Sequence, residues 1–216
     1  MSTASITTTY PNEIQDLMEC GRDFHRRGWS LGTSSNYSVV VNREPLTLLM
    51  TGSGFDKGRL QPDQFVLVDE QAQSLDPEFP KPSAEALLHT ALAKHAGAGA
   101  VLHTHSVYGT VLSEGFLKEG HLRLASYEML KGLAGIHTHE SEALIEIFPN
   151  TQDIAALAEV IEKRLQGTDP LKHGFLMAGH GLYTWGKDIA EARRQVEVLE
   201  FLFEVVTQKR LIFGGF

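Results

Sequence analysis

The chain has 216 residues, of which 42% are hydrophobic, and a formal net charge of -8 at pH 7. The acidic balance, with no cluster of lysine and arginine, argues against a nucleic-acid binder, so a bound phosphate must be held by local groups. The length is enough for one sizeable core, and we expect a single domain spanning residues 1–216.

The apolar runs are too short to cross a bilayer, and the first residues lack the basic and then apolar pattern of a secretory signal. Cys20 is the one cysteine and cannot form an internal disulfide. We expect it to be a small buried residue on a helix. These features predict a cytoplasmic protein that does not bind a membrane.

Hydrophobic periodicity and turn residues predict the elements in chain order. They are a helix over 12–27, a hairpin of strands 37–41 and 46–50, a strand over 65–69, a helix over 83–95, a strand over 100–105, a short helix over 107–112, strands over 122–125 and 143–148, a helix over 151–165, paired strands over 174–178 and 182–185, and a last long helix. Asn12, Ser83 and Asp188 are expected to be helix N-caps, and Gly28 is expected to end the first helix. Many short strands with flanking helices predict an α+β or three-layer α/β domain with a mixed, largely antiparallel sheet.

Two histidine pairs have a spacing that suits a metal ion. His103 and His105 end a predicted buried strand, where residues two apart project from the same face and can reach one ion. His137 and His139 repeat the spacing in a polar segment, where solvated histidines cost little. The first pair is the stronger candidate, because polar rings at the end of a packed strand are costly without a purpose.

A catalytic zinc site usually has three protein ligands and one open position. We prefer His180 as the third ligand, since Gly179 and Gly181 on either side let the backbone and a substrate approach closely. The alternative is an ordinary turn histidine without a ligand role.

Two loops rich in glycine, serine and threonine, 32–36 and 51–54, can surround a phosphate with backbone N–H groups and hydroxyls. Ser83 at a helix N-terminus would add donors for the same anion. Either loop alone favours ordinary turn chemistry, but the three places together make a phosphate ester a reasonable ligand. Glu85 and Glu128 are, by residue type alone, expected to be solvated surface acids.

The chain from Gly32 to Trp185 resembles the class II aldolase/adducin family in the order of six segments, GTSSN, TGSG, PSAE, HTH, YEMLKGL and GHGLYTWG. The resemblance implies a three-layer α/β/α fold around a mixed, largely antiparallel sheet. It also implies one zinc ion per subunit, held by His103, His105 and His180. The residues that it implies for binding the phosphate are Ser35, Asn36, Thr51, Gly52 and Ser83.

The resemblance also assigns roles to the two carboxylates. Glu85 matches the acid that acts as a base near the metal in the family's aldolases. Glu128 matches the general acid/base of the dehydratases, and we expect partial burial to poise it for that role. The family's aldolases carry a second serine where this chain has Ala84, and they use a tyrosine from a neighbouring subunit that has no assigned position here.

Within the family, YEMLKGL, HGLYTWG and the helix EARRQVEVLEFLFE are most similar to the dehydratases that act on a ketose 1-phosphate in methionine salvage. Sugar-phosphate aldolases and 4-epimerases are weaker matches, and their chemistry also starts from a metal-bound carbonyl. A non-catalytic adducin-like module is disfavoured, because all three candidate ligands are present. The resemblance further implies a homotetramer with active sites at subunit interfaces.

Overall fold

An eight-stranded sheet forms the centre of the molecule, which the computed structural model describes for residues 3–214. Its strands are β1 (Asn36–Arg43), β2 (Leu46–Thr51), β3 (Phe65–Val68), β4 (Ala100–Thr104), β5 (His121–Ala125), β6 (Glu142–Phe148), β7 (Phe175–Met177) and β8 (Gly181–Gly186). The spatial order is β3-β2-β1-β4-β8-β7-β6-β5. Every neighbouring pair is antiparallel except β6 and β7, so the sheet is mixed and largely antiparallel as predicted.

Helices cover the sheet and make the fold a three-layer α/β/α domain. They are α1 (Thr3–Thr9), α2 (Pro11–Arg26), α3 (Ala86–His95), α4 (Val107–Gly115), α5 (Ile154–Leu165) and α6 (Ile189–Phe213). Helices α3 and α5 pack together over one apolar cluster, while α4 and α6 pack over another. Among the described residues, no helix is both long and apolar enough to span a membrane.

The helix boundaries correct several predictions. Helix α1 was not predicted. Helix α2 begins at Pro11 with Tyr10 as its N-cap, so Asn12 lies in the first turn, because proline is favoured at the first helical position. Gly28 follows the end of α2 with φ of 77°, as expected for a glycine at a helix terminus. Asp188 caps α6 as predicted, since its side chain accepts a hydrogen bond from the Glu191 amide.

The start of α3 also differs from the prediction, and the difference matters for the site. The helix begins at Ala86, and Glu85 occupies the N-cap position. Ser83 therefore is not the N-cap; its hydroxyl accepts a hydrogen bond from the Glu85 amide at 3.2 Å instead. This turn directs Glu85 toward the end of β4.

Candidate active site

The three predicted histidine ligands come together at the ends of β4 and β8, the two central strands of the sheet. His103 lies in β4, His105 lies just beyond its end, and His180 lies in the turn between β7 and β8. Antiparallel pairing of β4 with β8 brings that turn beside His103 and His105. One ligand atom from each ring lies within 4.8 Å of the others. The sequence prediction of a three-histidine cluster is therefore matched by the geometry.

The environment of His103 selects the form of imidazole that binds metals. Its Nδ1 lies 2.8 Å from the carbonyl oxygen of Leu182, which can only accept, so Nδ1 carries the proton and Nε2 keeps its lone pair. Its ring stacks on Tyr183 with centroids 3.9 Å apart. Burial, and then the neighbouring His105 and His180, hold the pKa of His103 well below its usual value. A neutral, oriented imidazole is the form that a metal ion requires.

The environment of His105 also favours the neutral imidazole. Its Nε2 lies 2.7 Å from Nε2 of His103. Burial is the largest cause that lowers its pKa to about 4, and the nearby His180 and Lys57 add to the effect. Two ring nitrogens that face each other at this distance, in a buried site where neither ring is protonated at neutral pH, fit a shared cation.

The glycines beside His180 are required by the packing. Gly179 has a φ of 63°, which favours glycine. A Cβ on Gly181 would lie 2.0 Å from the carbonyl oxygen of Thr104. The rival pair His137 and His139 is exposed, and within residues 3–214 no other group of three potential ligands lies as close together.

Glu85 adjoins the histidine cluster. Its Oε1 lies 3.2 Å from Nε2 of His180, and its Oε2 lies 3.6 Å from Nε2 of His103. The amide nitrogen of Asn36 donates a hydrogen bond to Oε2 at 2.7 Å. The side chain is only 15% exposed, so the prediction of a solvated surface acid is wrong for this residue. Glu85 is a carboxylate held against the candidate metal centre.

Glu128 lies elsewhere, in a short 3-10 helix over Glu128–Gly132. Its side chain is 70% exposed and pairs with Lys131 and, at 3.7 Å, with His139. The hydrogen bond and charge of Lys131 lower its pKa. In the described part of the chain, no hydrogen bond or ion pair joins it to the three histidines. The expected partial burial is wrong, because a surface lysine stabilises this carboxylate in solvent.

The two polar loops form one cavity of about 150 Å³ beside the histidines. Its walls come from residues 33–36 and 52–54, together with Ser83, and it opens onto Glu85 and His105. Ser35 has a φ of 70°, a conformation that turns successive amides toward a common point. A Cβ on Gly52 would lie 2.7 Å from Cβ of Pro80, so only glycine fits that wall.

Two predicted phosphate ligands have other partners. Thr51 is buried, and its hydroxyl accepts a hydrogen bond from the Tyr37 amide at 3.2 Å. It does not line the cavity. Asn36 lies at the wall, but its side-chain amide bonds to Ser83 and Glu85. Ser35, Gly52 and Ser83 line the cavity. The hydroxyl of Ser83 accepts its two hydrogen bonds and keeps its proton to donate, while the hydroxyl of Ser35 lies 3.4 Å from the Trp29 carbonyl oxygen.

Lys57 is a cavity residue that the sequence analysis missed. It is 1% exposed, and its Nζ donates to the carbonyl oxygen of Phe55 at 2.7 Å. Burial lowers its pKa to about 8. Within the described residues no carboxylate forms an ion pair with it, because the adjacent Asp56 bonds to the Gly58 amide and lies beside His25. The nearby charge of Asp56 only partly offsets the cost of burying Lys57, so an anion in the cavity would stabilise the buried cation further. A single lysine near a loop gives no sequence signal, since an anion site is usually indicated in a sequence by a cluster of basic residues.

The neutral histidines predict a dependence of stability on pH. With a pKa of about 4 in the folded state and about 6.5 when unfolded, His105 binds more protons in the unfolded state between these values. The free energy of unfolding of metal-free protein should therefore fall as the pH falls from about 6.5 to about 4, with His105 contributing at most about 3 kcal/mol. Denaturant unfolding at pH 7 and pH 5 measures the change.

The matched variant for this measurement is His105→Gln. Burial raises the pKa of Glu200 to about 7, so that carboxyl acts in the opposite sense, and the informative quantity is the difference between wild type and variant. We expect a shallower loss of stability in the variant, and the wild-type slope in His137→Gln. Equal slopes in all three proteins would contradict the assignment of a neutral His105.

Comparison with known proteins agrees with this geometry. Residues 15–207 match the family model described as Class II Aldolase and Adducin N-terminal domain. Relatives named methylthioribulose-1-phosphate dehydratase from Pseudomonas syringae pv. syringae (strain B728a) and Methylococcus capsulatus are 46% and 45% identical, over 92% and 93% of this chain and 96% of each relative.

Solved structures match the fold at lower identity. An L-fuculose 1-phosphate aldolase has a TM-score of 0.75 and 22% identity, covering 94% of this chain and 88% of its own. The L-fuculose-1-phosphate aldolase from Thermus Thermophilus has a TM-score of 0.74 and 21% identity, covering 94% and 98%. At such identities the likeness supports the three-layer architecture.

Proposed function

We propose, from the premise that this chain belongs to the class II aldolase and adducin family, that it dehydrates 5-methylthioribulose 1-phosphate to 2,3-diketo-5-methylthiopentyl 1-phosphate in methionine salvage. The observation that carries the proposal is a three-histidine cluster with an adjoining carboxylate, open to a polar cavity that contains a buried lysine. Such a site suits a small phosphorylated ketose. The names of the relatives at about 45% identity support the reaction.

We propose zinc, one ion per subunit, as the metal held by His103, His105 and His180. Three imidazoles with room for a further ligand fit a catalytic zinc site. Bound there, zinc would supply a Lewis acid that polarises the substrate carbonyl. Iron, cobalt or manganese could also occupy a site of three histidines, so metal analysis of the purified protein decides among them.

The polar cavity is proposed to hold the phosphate group. Its hydroxyls and loop amides would donate hydrogen bonds to the phosphate oxygens, and Lys57 would supply the positive charge that the acidic protein otherwise lacks there. Contacts with a group remote from the reacting carbons orient those carbons against the carboxylates.

Two carboxylates are proposed to move protons. Glu85 would remove the proton from C3, since it already lies beside the histidines. Glu128 would protonate the hydroxyl that departs from C4, so that water leaves and an enol forms between C3 and C4. The enol becomes the C3 ketone when its O–H proton is lost and C4 gains a proton. In the described residues, no hydrogen bond or ion pair joins Glu128 to His103, His105 or His180 of its own chain. We therefore propose a homotetramer in which Glu128 serves the site of a neighbouring subunit, and we propose that the protein is cytoplasmic.

Mass spectrometry of the products tests the reaction. Metal-loaded protein should convert 5-methylthioribulose 1-phosphate to a product lighter by one water. Fuculose 1-phosphate and ribulose 5-phosphate serve as alternative substrates on the same protein. Cleavage or epimerisation of either, with the methylthio sugar left unchanged, would replace the proposed reaction with an aldolase or 4-epimerase.

The variant Lys57→Met tests the phosphate assignment. We expect KM to rise by about 10- to 100-fold with kcat largely retained, because a charge-assisted contact of about 1.5–3 kcal/mol to a distant group is lost. Inhibition by inorganic phosphate should weaken in parallel. Lys94→Met is the matched control, since Lys94 pairs with Glu70 at the surface. An unchanged KM and unchanged phosphate inhibition in Lys57→Met would remove Lys57 from the phosphate site.

A further inference from the structure

His89 is a fully buried histidine on α3 whose two ring nitrogens both have partners. Its Nδ1 lies 2.7 Å from the hydroxyl of Ser38, and its Nε2 lies 2.5 Å from Oδ1 of Asn36. It is not among the three candidate metal ligands. The reaction proposed above gives this ring no role.

The contacts run from Ser38 through His89 and Asn36 to the carboxylate of Glu85. The direction of each hydrogen bond follows from that carboxylate. Glu85 is an acceptor, so Asn36 must present its amide nitrogen to it, at 2.7 Å from Oε2. The carbonyl oxygen of Asn36 then faces His89, which donates from Nε2. The Nδ1 lone pair of His89 accepts the hydroxyl proton of Ser38.

We propose that His89 is a positioning residue that fixes the amide of Asn36 and, through it, the carboxylate of Glu85 beside the histidine cluster. The inference rests on the role proposed for Glu85. It concerns orientation alone, since His89 does not touch the substrate cavity.

The amide of Asn36 has two orientations, and His89 selects between them. In the observed one, the amide nitrogen donates to both Ser83, at 3.1 Å, and Glu85. In the reversed one, the carbonyl oxygen of Asn36 would face the carboxylate of Glu85 and repel it. Because Nε2 of His89 donates, it can bond only to the first orientation. In the reversed one, Nε2 of His89 would face the amide nitrogen of Asn36, and both groups are donors. Burial supports this arrangement, since it lowers the pKa of His89 to about 3 and keeps the ring neutral with a single N–H.

An apolar side chain at position 89 would fill the space without fixing the orientation of the Asn36 amide. It would leave Oδ1 of Asn36 and the hydroxyl of Ser38 without this partner in the core. The amide of Asn36 could then turn, and Glu85 would lose its donor.

Two substitutions separate positioning from packing. His89→Met keeps an apolar side chain of similar length and loses both hydrogen bonds. His89→Gln can still donate from its amide nitrogen. We expect kcat to fall by about 10- to 100-fold in His89→Met, with KM and metal content close to wild type, and to recover substantially in His89→Gln. Thr90→Val, a change at a buried neighbour whose hydroxyl bonds to the Leu87 carbonyl, controls for disturbance of α3.

A double-mutant cycle tests whether His89 acts through Asn36. In an Asn36→Ala background, His89→Met should cause little further loss of kcat, because the amide that it orients is gone. Independent, multiplying losses would overturn the proposal.

A crystal structure of His89→Met gives a readout that does not depend on the reaction. We expect a Glu85 carboxylate displaced from His180, because the amide of Asn36 no longer holds it. If Glu85 keeps its position, the inference is wrong even when the wild type is an active dehydratase. If wild-type protein does not dehydrate the methylthio sugar, the proposed function fails, and the displacement of Glu85 still decides the role of His89.

Discussion

His105→Ala is expected to lose its bound metal and to reduce turnover by at least about 10³-fold, because a catalytic metal supplies several kcal/mol of transition-state stabilisation. His105 lies beyond the end of β4 and is only half-buried, so its removal leaves a smaller defect than removal of His103, which is buried and stacks on Tyr183. Metal content measured by elemental analysis, beside kcat for the methylthio sugar, checks the expectation.

The matched control is His137→Ala. His137 has the same His-x-His spacing in the sequence but lies in an exposed segment. It should keep full metal content and turnover. The polar cavity provides a second control, since we expect inorganic phosphate still to bind to His105→Ala through Lys57 and the loops. A variant that retains stoichiometric metal, or a His137→Ala protein that loses it, would contradict the assignment of the ligands.

The sheet could be predicted from the sequence because each strand has a strong local signal. The hairpin of β1 and β2 shows two short runs of apolar and β-branched residues around a turn, and all eight strands match a predicted segment within two residues at each end. Helix α1 lacks such a signal. Its sequence TASITTT contains the buried Ile6 and several β-branched threonines.

The site could be predicted only where its chemistry is local in the sequence. His103 and His105 are two residues apart on a strand, and His180 stands between two glycines, so spacing and neighbours mark all three. Lys57 and His89 have no such mark, since each is a single polar residue among turn or apolar residues. The partners of His89, Ser38 and Asn36, are distant in sequence, and the cavity that Lys57 lines is formed by separate loops, so only the folded chain shows the surroundings of either residue.

Glu128 shows in another way that sequence-based prediction is limited where partners are not local. The resemblance assigns Glu128 to catalysis, but the structure describes a single chain, in which Glu128 lies in solvent beside Lys131. A general acid must reach the departing hydroxyl. In a symmetric oligomer, a residue exposed on one subunit can complete a site on the next. An exposed Glu128 is therefore compatible with catalysis when the active form of the protein is an oligomer.

Glu128→Gln is accordingly expected to lower kcat by about 10²- to 10⁴-fold while metal content and phosphate inhibition stay at wild-type levels, because glutamine keeps the shape of the side chain and cannot transfer the proton. Product formation followed by mass measures the loss. The substitution Glu140→Gln, of another exposed acid in the segment that follows, is the matched control and should leave turnover unchanged. Wild-type turnover in Glu128→Gln would remove this residue from the mechanism.

Mixing the two inactive proteins then identifies the subunit that Glu128 serves. When Glu128→Gln and His105→Ala chains are unfolded and refolded together, some neighbouring pairs combine an intact histidine cluster with an intact Glu128. If the acid acts across an interface, random mixing should restore about a quarter of wild-type activity. If it acts within its own chain, each variant chain remains inactive and the mixture stays at the background level. Restored activity would establish that the active site is shared, and its absence in verified mixed oligomers would confine Glu128 to the chain that carries it.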